Sequence, residues 1–204
     1  MMRGIKSLAL VLALTFIGFS FGCTGENSGK AGVSPTEQVQ WKPDGIISPG
    51  EYWMNFSSRD GTFYAFFRVE NGTLFVGMKA RTHGWLAMGF GGSVGMKNID
   101  IVIAYVLLNG VAKISASYST GFAGLHVSDT TLGGSFDVIS YGGMEDENWT
   151  VVEFSRKLDT GDRYDFVVTP EKPFRVIWAY GLVDDFLSMH VSAASTFINP
   201  EVVE

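Results

Sequence analysis

Between Gly50 and Thr169 the chain contains no proline, yet glycines and Asn/Asp clusters cut it at intervals of about ten residues. Every backbone N–H in that stretch is free to pair, and the turn signals come too often for long helices. The pieces between the turns alternate. Phe63, Ala65, Phe67 and Val69 fall on one face of Phe63–Glu70, and Leu74, Val76 and Met78 share one face of Thr73–Ala80. A period of two is the signature of a strand with one buried side. The Asn71-Gly72 pair between these runs suits a two-residue hairpin, whose central positions both take positive φ.

Further strands are expected at Gly84–Phe90, Ile101–Leu108, Val111–Thr120, Phe136–Gly142, Trp149–Phe154 and Phe174–Leu182. Ile101–Leu108 is apolar on both faces, so it should be a central strand covered on each side. No stretch shows a sustained helical period with caps, and nothing repeats at a fixed interval. The fold class read from this pattern is all-β, an antiparallel β-sandwich of about nine or more strands in one domain. Apolar residues make up 46% of the chain and charged residues 18%, which suffices for such a core.

The N-terminus reads differently. Arg3 and Lys6 precede the apolar run Leu8–Phe21, whose 14 residues fall short of the roughly 20 that span a bilayer. That pattern marks residues 1–22 as a signal peptide. Cys23, the single cysteine, follows Ser20-Phe21-Gly22, so the junction resembles a lipobox with cleavage before a lipid-modified Cys23. The alternative is an unpaired thiol in an exported chain, which is a liability. Residues 24–40 are small and polar and read as a tether, residues 41–199 as the folded domain, and 200–204 as a tail. The expected location is the extracytoplasmic face of the cell membrane, held by a lipid anchor. Sequons at Asn55, Asn71 and Asn148 are compatible with export.

Without residues 1–22 the charge is 13 basic minus 21 acidic residues, or −8. No basic cluster remains, which argues against nucleic acid as a partner. Enzyme signatures also fail. Gly89-Phe90-Gly91 begins like a dinucleotide loop, but Val94 replaces the third glycine and a strand follows instead of a helix. Asp184-Asp185 and Glu145-Asp146-Glu147 read as solvated turns, so catalysis by side chains is not expected.

His83, His126 and His190 remain, each beside a turn. With loop methionines they offer soft donors for copper(I). Met96 stands out because it lies between Gly95 and Lys97 in a glycine-rich loop where polar residues are usual. One Met and one His hold haem iron in electron-transfer proteins, and without Cys-x-x-Cys-His a haem would be b-type and non-covalent. Sixteen Phe, five Trp and eight Met could line its slot, though the same residues equally make an ordinary core.

Several segments, in order, resemble the DOMON domain family. They are Gly84-Trp85-Leu86-Ala87-Met88-Gly89-Phe90, Gly95-Met96 through Asp100, Ile101–Tyr105, Tyr118-Ser119-Thr120-Gly121, Phe154-Ser155-Arg156-Lys157-Leu158, Val176-Ile177-Trp178-Ala179-Tyr180-Gly181 and the late His190. The resemblance covers roughly residues 41–199. It implies an immunoglobulin-like sandwich, usually extracytoplasmic, in which haem-binding members use a loop Met and a late His. Those positions correspond to Met96 and His190, with Met88 and Met189 as competing sulfur donors. The resemblance therefore implies a haem b domain passing single electrons to a membrane redox partner. Haem-free members imply an alternative, a sugar or small-ligand module with Trp85, Trp178 and Tyr180 as stacking surfaces, although core packing is the commoner role for such rings.

Overall fold

The computed structural model describes residues 39–200. Cys23, the leader and nearly all of the proposed tether lie outside the described residues, as do residues 201–204. Eleven strands form: β1 (Met54–Ser57), β2 (Phe63–Glu70), β3 (Thr73–Ala80), β4 (Leu86–Gly91), β5 (Ile99–Val106), β6 (Ala112–Ser119), β7 (Val127–Ser128), β8 (Val138–Glu145), β9 (Thr150–Lys157), β10 (Phe174–Tyr180) and β11 (Ser192–Ile198). A single helical turn, α1 (Asp129–Leu132), interrupts them. One sheet runs β1-β2-β3-β9-β8 and the other β11-β10-β4-β5-β6-β7, with every pair antiparallel.

The two sheets close on one apolar interior. Phe63, Phe67, Leu74, Val76 and Met78 from the first sheet meet Leu86, Met88, Phe90, Val102 and Val176 from the second, all essentially inaccessible. Phe63 stacks on Trp178 across the gap with centroids 4.6 Å apart. The β2–β3 hairpin turns through Asn71 (φ 49°) and Gly72 (φ 73°), the twist that matches right-handed strands. At the N-terminal edge of the domain Trp41 Nε1 donates to Tyr52 Oη (2.8 Å), and Tyr52 Oη donates to buried Glu153 (2.7 Å).

β5 is central and covered on both sides, as its two apolar faces require. Val102, Ala104 and Val106 enter the interior. Ile99, Ile101 and Ile103 point the other way and form a second cluster with Trp85 and Ala87, against which Met96, Tyr105, Ile177, Ala179 and Phe186 pack. Among the described residues no third sheet lies over this outer face. Loops cover it, and there the cavity forms.

One ion pair crosses the interior. Arg156 on β9 donates to Asp100 on β5, and Phe166 N donates to the same carboxylate oxygen (2.8 Å). Asp100 and Arg156 are each 2% exposed.

Candidate functional site

The cavity is a trough of about 280 Å3 on the outer face of the six-stranded sheet. Its floor comes from alternate positions of four neighbouring strands, because side chains two apart share a face. Ala87 and Gly89 of β4, Ile101 and Ile103 of β5, Ile177 and Ala179 of β10, and Ala194 of β11 supply it. Small residues on β4, β10 and β11 keep the trough open while the isoleucines keep it dry. At Gly89 a Cβ would stand 2.6 Å from Ile99 Cγ2 and 2.7 Å from Ile177 Cγ1, so no larger residue fits without moving the floor.

Two loops bring the sequence-predicted donors to this trough. Met96 sits in the turn between β4 and β5 and is half-buried. The turn is tied down from both sides: Met96 N donates to Phe122 O (3.0 Å), Asn98 N to Ser119 O (2.8 Å), and Arg175 Nη1 to Gly95 O (3.0 Å). Gly95 has φ 55°, and a Cβ there would stand 2.5 Å from Phe122 O, so glycine is required for this approach. His190 ends the loop after β10, lines the same trough, and is exposed.

The His190 loop is organised by Asp185 and Trp85. Asp185 Oδ1 accepts from Leu187 N (2.8 Å) and Ser188 N (2.6 Å), and those amides hold its carboxyl below the usual carboxylate range. Trp85 Nε1 donates to Ser188 Oγ (2.8 Å), and Trp85 N donates to Val183 O (3.2 Å). Asp185 therefore caps a turn, while Trp85 joins the loop to the sheet and lines the cavity.

The competing sulfur donors are elsewhere. Met88 is fully buried in the interior, on the opposite face of β4 from the trough, and Met189 is 85% exposed. Two of the three expected stacking rings are also displaced. Trp178 borders the trough, but its ring packs on Phe63, and Tyr180 lies in the same interior cluster. The cause is strand parity: Phe174, Val176, Trp178 and Tyr180 share the inner face of β10, leaving Arg175, Ile177 and Ala179 outside. Of the three, Trp85 alone keeps an aromatic ring on the cavity side.

Two further residues complete the donor set: His126, named in the sequence only as one of three histidines beside turns, and Arg175, which the sequence did not point to. His126 lines the trough, is half-buried, and its Nδ1 has no hydrogen-bond partner among the described residues. Burial lowers its pKa, which favours a neutral imidazole. Arg175 lines the trough beside the Met96 turn. His83 is not part of the site; its Nε2 lies 3.1 Å from Asp146 O. The donor set at the trough is thus one thioether, two imidazoles and one guanidinium over an apolar floor.

A flat apolar ligand with a metal centre suits these residues. The floor offers apolar contact, the loops offer a sulfur and a nitrogen donor, and the edge offers cationic and neutral polar groups. Among the described residues no helix is long and apolar enough to cross a membrane.

Known proteins share this architecture. The cytochrome domain of Myriococcum thermophilum cellobiose dehydrogenase superposes with a TM-score of 0.50 at 10% identity, covering 73% of this chain and 82% of that domain, a likeness of fold. Human DBH-like monooxygenase protein 1 is 30% identical over 135 residues, 66% of this chain. The chain spans only about a fifth of that relative, 19% of its length. Residues 59–181, more than half of the chain, match the model of the DOMON domain, and the chain belongs to that family.

Proposed function

We propose that this domain binds a b-type haem through Met96 and His190 and passes single electrons at the outer face of the cell membrane. The observation that carries the reading is the meeting of a thioether and an imidazole, about ninety residues apart in the chain, at one apolar trough. A haem held by one Met and one His is a one-electron carrier without an open coordination position. Ala87, Gly89 and Ala179 make room for it, and Ile101, Ile103 and Ile177 exclude water from its face. Arg175 holds the Met96 turn in place through Gly95, and Asp185 fixes the turn that leads to His190.

The reading places electron exchange with a membrane redox partner, since Cys23 as a lipid anchor keeps the domain at the bilayer. A haem-free module for sugar or another small ligand competes with it and keeps Trp85 as its aromatic wall.

An absorption spectrum decides between them. Full-length protein from a haem-replete host is expected to show a sharp Soret band and, on reduction, resolved α and β bands. His190→Ala and Met96→Ala should each weaken haem binding beyond the roughly 10–100-fold that losing an outer partner costs. A haem titration without a saturable Soret change overturns the reading; an intact spectrum in both variants overturns the ligand assignment. Cys23→Ala should move the protein from the membrane to the soluble fraction.

A further inference from the structure

On the inner face of β5, away from the trough, three carboxylates and one guanidinium are shut into the sandwich. Asp100 and Arg156 are 2% exposed, Asp129 is 0% exposed, and the Asp165 side chain is 4% exposed. Arg156 is spent on two of them: Nη1 pairs with Asp100 Oδ2, while Nη2 lies 3.6 Å from Asp165 Oδ2 and donates to Phe166 O (3.1 Å). Asp100 Oδ1 and both carboxylate oxygens of Asp129 have no hydrogen-bond partner among the described residues. The formal charge of the set is three negatives against one positive, or −2.

A fully buried carboxylate with two bare oxygens is costly as an anion, and as a neutral acid it still carries an O–H without an acceptor. Burial and the charges of Asp100 and Asp165 push the Asp129 carboxyl up to about 7. The strands bring the two acids together. Asp100 pairs with Tyr118 of β6, Tyr118 pairs with Val127 of β7, and Asp129 follows β7 directly. Strands about 4.8 Å apart leave β5 and β7 about 10 Å from one another. Two aspartates reaching inward with a metal between them, at bonds of about 2.3–2.6 Å, span such a gap.

We propose that Asp129 and the free oxygen of Asp100 bind a structural calcium ion beneath β5 and β6. No three His, Cys, Asp or Glu side chains among the described residues converge closely enough to hold a metal by themselves. The rest of the shell therefore comes from backbone carbonyls and water, which calcium accepts in a flexible 6–8-coordinate arrangement. Zinc, which prefers nitrogen and sulfur, has neither here, and magnesium demands an octahedral geometry that a packed interior does not adapt to. Affinity in the weak range of extracellular modules, about 10⁻⁴–10⁻³ M, fits two carboxylate ligands.

The test uses the full chain stripped with EDTA. Calcium at about 10 mM should raise Tm by several degrees, and magnesium at the same concentration by clearly less. Terbium should bind at the same place, with emission excited through Tyr118 and Tyr164, whose rings stand 5.4 Å apart, and calcium should displace it. Asp129→Asn should abolish both the calcium gain and the terbium signal, whereas His190→Ala should keep both, which separates this site from the haem reading. If Asp129→Asn fails to fold, terbium displacement by calcium on the unmutated chain decides. No calcium effect on Tm and no sensitised terbium emission would overturn the proposal. So would Asp129→Asn that keeps the full calcium gain.

Discussion

Arg175 acts on the site at one remove: its guanidinium holds Gly95 O, and Gly95 carries Met96. Arg175→Ala removes one charged hydrogen bond at an exposed position. Haem titration should show affinity reduced about 2–13-fold, the equivalent of about 0.5–1.5 kcal/mol, with Tm almost unchanged. Met96 and His190 were picked out because a methionine among glycines and a late histidine break the local pattern, and the family resemblance pairs them; the structure puts both at one trough. Trp178 and Tyr180 were left between a stacking role and the commoner one of core packing, and the inner face of β10 gives them the second. β10 carries bulky residues on one face and Ile177 and Ala179 on the other, so the sequence names two faces without saying which one the second sheet covers. His126 was named as a donor but could not be placed at the trough, because Gly121-Phe122-Ala123-Gly124-Leu125 has no period to orient the histidine after it.

At the scale of elements, the trough depends on short side chains standing side by side on β4, β10 and β11. Ala179→Phe would place a ring over the floor between Ala87 and Ala193, the residues paired with position 179. Haem binding should then vanish in a titration while far-ultraviolet circular dichroism stays that of a sandwich. β2 and β3 were readable to the residue, since clean alternation and Asn71-Gly72 leave one register open. β1, β7 and β11 were missed: two of them have four residues or fewer, and β11 reads Ser-Ala-Ala-Ser-Thr-Phe-Ile with almost no apolar periodicity. β11 is an edge strand whose backbone pairing with β10 gives it form, and a hydrophobic pattern cannot report that.

For the whole molecule, buried acids set the pH response. Burial raises Glu153 from 4.5 to about 7, Asp100 from 3.8 to about 6 and Asp129 from 3.8 to about 7. Between about pH 4 and 7 the folded chain holds protons that the unfolded chain has released, so stability falls as pH rises through that window. Calorimetry of calcium-free protein should give a higher Tm at pH 5.5 than at pH 8. Glu153→Gln should flatten that slope, although it gives up an acceptor for Gly45 N. Saturating calcium should flatten it as well, because the ion takes the place of the proton at the aspartates.

The trough lies on the outside of a completed sandwich, and that separates building the protein from filling it. Ile99, Ile101 and Ile103 are already sheltered by Trp85, Ala87 and the loop residues around them. Met88, Phe90 and Val102, on the other side of the same strands, belong to an interior that meets the site only at the edge of Trp178. The polypeptide thus has no structural need to meet its occupant during synthesis. It can fold bare and collect its occupant afterwards. The amount of working protein would then follow the local supply of that occupant rather than the rate of translation.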